Sequence, residues 1–117
     1  MFEQTNSFID GRSVPPLDGQ YEDKIDPRTG EKLNEVASSG PADVAIAIDS
    51  AAAALQAWRD MRPADRGRIL NDFGRLIRAS ESTLGALERA ETGKPGREMA
   101  TLMDLTAQYF EFYGEIG

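Results

Sequence analysis

The sequence predicts an α+β chain in which two short β-hairpins precede three to four helices. Two observations carry this reading. Gly11, Pro15, Pro16, Gly19, Pro27, Gly30 and Gly40 punctuate the first forty residues so closely that only short strands and turns fit between them. From Gly40 onward apolar residues recur at spacings of three and four, the period of a helix with one buried face.

Each element has a local cause. Ser7-Phe8-Ile9 and Arg12-Ser13-Val14 flank Asp10-Gly11, and Asp-Gly between short apolar segments signals a type I′ turn, whose two central residues both need positive φ. Tyr21 to Asp26 and Leu33 to Ser39 form the second pair, joined across Pro27 and Gly30. Pro41 suits the first position of a helix, and Asp43 favours its positive end. Val44, Ile48, Ala51, Leu55 and Trp58 form the apolar stripe of this helix. A second helix opens at Pro63, with Ile69, Leu70, Phe73, Leu76 and Ile77 as its expected buried face. Ser80 is the expected N-cap of a third segment, which carries Leu84, Leu87 and Ala90 and ends at Gly93, before Pro95. A last helix runs from about Gly96 through Met99, Leu102, Met103, Thr106, Phe110 and Tyr113. Residues 1–40 are therefore read as a hairpin region and 41–117 as helical, within a length that suits one compact domain.

Composition excludes several function classes. The net charge of -7 disfavours nucleic acid and anionic lipid as partners. No apolar run approaches the roughly 20 residues that span a bilayer, and Met1 to Asn6 have neither the basic nor the apolar region of a signal peptide. A cytoplasmic protein is expected. There is no cysteine and no histidine, so thiol nucleophiles, imidazole bases and the usual transition-metal ligands are missing. Neither G-x-G-x-x-G nor G-x-x-x-x-G-K-[ST] occurs. Lys94 follows a glycine, but that glycine ends a helix, where carbonyls and the negative dipole end would repel a phosphate. Glu88 and Glu91, and Glu111 and Glu115, share helix faces without a third convergent acid, and read as solvated. Trp58 reads as core.

Four of the nine aromatics lie between Tyr109 and Tyr113, and they make the last helix apolar on more than one face. Such a helix expects cover on more than one side. The few helices and two hairpins of this chain offer little to supply it.

The same segments resemble the aldehyde dehydrogenase superfamily. Phe8-Ile9-Asp10-Gly11-Arg12 resembles the family's opening hairpin, and Ile25-Asp26-Pro27-Arg28-Thr29-Gly30-Glu31 its N-P-x-T-G-E turn, with Asp26 where Asn is common. Asp43 to Ala53 and Ala57-Trp58-Arg59 are similar to its first long helix. Pro63-Ala64-Asp65-Arg66-Gly67-Arg68-Ile69-Leu70 resembles the start of the next. Glu91-Thr92-Gly93-Lys94-Pro95 matches E-T-G-K-P, and Tyr109-Phe110-Glu111-Phe112-Tyr113-Gly114 resembles the aromatic stretch that follows. The likeness covers residues 7–117.

The resemblance implies an α/β parent fold, of which residues 41–117 would be the helical part of an incomplete cofactor-binding domain. It implies a parent enzyme, oligomeric as a whole, that oxidises an aldehyde to a carboxylic acid with NAD or NADP. In the family a cysteine thiolate attacks the aldehyde, an oxyanion hole holds the alkoxide, and a glutamate activates water. No residue of this chain matches those catalytic positions or the family's cofactor-binding motifs. Some members bind a monovalent cation through backbone oxygens near the N-P turn and an acid on the last helix; Ile25 would match the first and Asp104 the second. The chain is thus expected to be an inactive N-terminal fragment, with the remainder of the dehydrogenase fold as its partner. The alternative is a stand-alone helical module that binds a protein through the Tyr109–Tyr113 surface.

Overall fold

The computed structural model describes residues 4–116. Met1, Phe2 and Glu3, part of the N-terminal hexapeptide considered above, and the final Gly117 lie outside the described residues. Where the length suits one domain, the chain packs as two compact units, residues 1–58 and 59–117.

The first unit holds β1 (Gln4–Thr5), β2 (Ser7–Ile9), β3 (Arg12–Val14), β4 (Tyr21–Ile25), β5 (Lys32–Ala37) and α1 (Pro41–Asp60), whose last two residues fall in the second unit. Both expected hairpins are present. β2 and β3 pair antiparallel with Ile9 opposite Arg12, and Asp10 and Gly11 between them have φ of 52° and 73°, as a type I′ turn requires. β4 and β5 pair antiparallel from Tyr21 opposite Ala37 to Ile25 opposite Lys32, with a bulge between Lys24 and Ile25. β1 was not expected. It lies parallel to β5, giving the sheet order β1-β5-β4.

Polar side chains fasten these strands. The Tyr21 hydroxyl donates to Asn6 Oδ1 at 2.7 Å, and Asn6 Nδ2 donates to Ser13 Oγ at 3.1 Å. The Asp26 carboxylate, buried in its turn, accepts from the Arg28 backbone N–H at 2.8 Å and from the Arg28 guanidinium. α1 begins at Pro41 as expected, and Asp43 does more than complement its dipole. One Asp43 oxygen accepts from Gly40 N–H and the other from Leu17 N–H, each at 2.9 Å. The buried carboxylate thereby caps the helix and holds the Pro16–Leu17 loop against it.

The second unit holds α2 (Pro63–Ala79), α3 (Glu81–Thr92), a single 3₁₀ turn (Gly96–Glu98) and α4 (Met99–Ile116). Ser80 occupies the N-cap position of α3, yet its side chain makes no capping bond; its backbone carbonyl instead accepts from Leu84 N–H. Gly93 ends α3 at φ 74°, its N–H donating to the Arg89 carbonyl.

α2 and α4 run antiparallel and touch through small residues. A Cβ on Gly67 would lie 2.3 Å from the Gly114 carbonyl oxygen, and one on Gly74 would lie 2.8 Å from Glu111 Cγ. Met99, Met103 and Ala107 supply the buried apolar side of α4. This corrects the expected packing of α2. Its buried residues are Gly67 and Gly74, while Phe73 and Leu76 stay exposed and Ile69, Leu70 and Ile77 are half-buried. Amphipathic spacing marks the side a helix can bury, and here the contact is decided by how closely two backbones approach.

Candidate functional site

No catalytic constellation forms among the described residues, and no group of three or more acids could hold a metal ion. Several carboxylates are engaged in ion pairs or hydrogen bonds. Glu88 pairs with Lys94 at 2.7 Å, so Lys94 neutralises an acid of its own helix end. Asp23 pairs with Lys32 at 2.7 Å, and Glu22 accepts from the Ser38 hydroxyl.

Glu111 departs from the solvated reading. Arg78 grips it with two parallel bonds of 2.9 Å, Nε to Oε1 and Nη2 to Oε2. The third arm of Arg78 binds Asp104, which also accepts from Gln108 Nε2 at 2.7 Å. The guanidinium holds both carboxyls below the usual carboxylate range, and the pair raises the Arg78 pKa in turn. Asp104, the expected cation ligand, thus spends its carboxylate on Arg78 and Gln108. Ile25 lies at the end of β4 in the other unit.

The outstanding surface feature is apolar. Leu105, Tyr109, Phe112 and Ile116 are 44%, 58%, 58% and 63% exposed. At ~100° per residue they fall on one side of α4, roughly opposite Met99, Met103 and Ala107. Phe110 belongs to the inner side and stacks on Phe73 with ring centroids 5.4 Å apart. Tyr113 flanks the outer stripe, edge-on to Phe112 at 5.3 Å. α4 is therefore apolar on two sides, one packed and one open, as its sequence foretold.

In the first unit the stripe Val44, Ile48, Leu55 and Trp58 on α1 is likewise open. Trp58, expected in a core, is 38% exposed. Asp43 is the one buried residue of α1. Two of the most apolar helix faces in the chain thus meet solvent.

The sequence has no glycine-rich loop leading into a helix, and no residue group described above forms a phosphate cradle. No helix among the described residues is long and apolar enough to cross a membrane.

Comparison with known proteins accords with these features. The family model described as "Aldehyde dehydrogenase family" matches residues 16–117. Acetaldehyde dehydrogenase 2 of Cupriavidus necator is 35% identical over 95% of this chain, which covers 22% of that protein. A crystal structure from Burkholderia cenocepacia, of a protein assigned as an aldehyde dehydrogenase, superposes with a TM-score of 0.94 at 36% identity. It covers 98% of this chain and 24% of its own. PnpE, solved in complex with nicotinamide adenine dinucleotide, gives 0.93 at 32% identity, over 97% of this chain and 23% of that one. The chain spans about a fifth of the length of the curated relatives it matches, and corresponds to an N-terminal segment of them.

Proposed function

We infer, because this chain belongs to the aldehyde dehydrogenase family, that it serves as a scaffold layer of an NAD(P)-dependent enzyme that oxidises an aldehyde to a carboxylic acid. The observation that carries this reading is the open apolar side of α4, joined by the open stripe of α1. Fully burying a large apolar side chain is worth ~1.5–3 kcal/mol, so covering four that are about half exposed would contribute about 3–6 kcal/mol. That is comparable to the whole stability of a small domain. Helices with such faces are built to lie on a further layer, here the remaining polypeptide of the dehydrogenase fold.

The chemistry belongs to that remainder. This chain has no cysteine or histidine to act as nucleophile or base. Its part is to hold helices in place, and residues 41–117 form the helical portion of a cofactor-binding domain whose dinucleotide contacts come from elsewhere. Ile25 and Asp104 are the proposed contributions to a monovalent-cation site of the complete fold, a role that requires Asp104 to exchange Arg78 for the ion. A cytoplasmic, oligomeric enzyme is part of the same reading.

The purified 117-residue chain, given acetaldehyde and NAD or NADP, is expected to form no reduced nicotinamide. Formation above background would refute the scaffold role. The second reading, a stand-alone module that binds protein through Tyr109–Tyr113, is favoured by the same open face. Genomic sequence separates the two. A frame that continues past residue 117 into a cofactor domain supports the scaffold, and a natural stop there supports the module.

A further inference from the structure

We draw no further inference here: the strongest candidate, the open cavity at the start of α4 lined by Lys94, Arg97, Met99, Leu102 and Leu105, adjoins the side of that helix already assigned to the remaining polypeptide of the fold, and nothing in the structure shows what else covers it.

Discussion

Replacing Gly67 by alanine sets two effects of known size against each other. In a helix interior Gly→Ala gains roughly 0.8–1 kcal/mol from backbone entropy alone. At Gly67, however, the new Cβ would sit 2.3 Å from the Gly114 carbonyl oxygen, a backbone atom that cannot turn aside. The helices must part by about 1 Å to restore ordinary contact, and overpacking of this kind costs about 1–3 kcal/mol. Since backbone is involved, the upper half of that range applies, and the expected net loss is about 1–2 kcal/mol. Gly85→Ala is the internal control. Its Cβ would meet Met99 Cβ at 3.1 Å, a contact that a backbone shift of only a few tenths of an ångström relieves. That variant is expected to be neutral or slightly stabilising. Thermal melting of the chain by circular dichroism reads both, with each 1 kcal/mol worth roughly 4–8 °C in a unit of this size. If Gly67→Ala raises the midpoint as much as Gly85→Ala, the close approach of α2 and α4 is wrong.

Asp43→Ala removes the acceptor for both Leu17 and Gly40. It is expected to cost about 1–2 kcal/mol and to speed hydrogen exchange at those two amides, while β2 and β3 keep their protection. Acid should loosen the second unit through Arg78. Because Asp104 and Glu111 titrate below their ordinary range when folded, their contribution is fully present above that range and is lost as pH falls through the depressed values. The melting midpoint should therefore fall between neutral pH and about pH 3. Arg78→Leu should lower it at neutral pH and flatten its dependence on acid. An unchanged acid dependence in that variant would remove Arg78 as the cause.

The features legible in the sequence were those whose causes are local. Asp10-Gly11 dictates its turn through φ alone, Pro63 opens α2, and Gly93 with Pro95 closes α3. The double-sided character of α4 was legible as well, because it is a property of one helix. What was hidden depends on residues far apart. β1 pairs with β5 across thirty-one positions, Gln4 against Glu35, and two residues carry too little pattern to announce it. Asp43 reaches Leu17, a bond that exists only once the loop has folded back. The contact side of α2 was misjudged because periodicity ranks residues by apolarity. A signal was nevertheless present. Gly67, Asn71, Gly74 and Arg78 recur at four, three and four, and Asp104, Ala107, Glu111 and Gly114 recur at three, four and three. Two small-residue stripes of matching period, one ending in a cation and the other holding two acids, describe the α2–α4 seam.

The central claim is that this chain frames an active site without taking part in its chemistry. A chimera tests it most directly: residues 7–116 in place of the matching segment of the Cupriavidus necator acetaldehyde dehydrogenase 2, assayed for reduced nicotinamide with a panel of aldehydes. The account predicts a folded, active enzyme that keeps the recipient's order of substrate preference. A chimera that folds but has lost activity, or whose preference among aldehydes has been reordered, would contradict it.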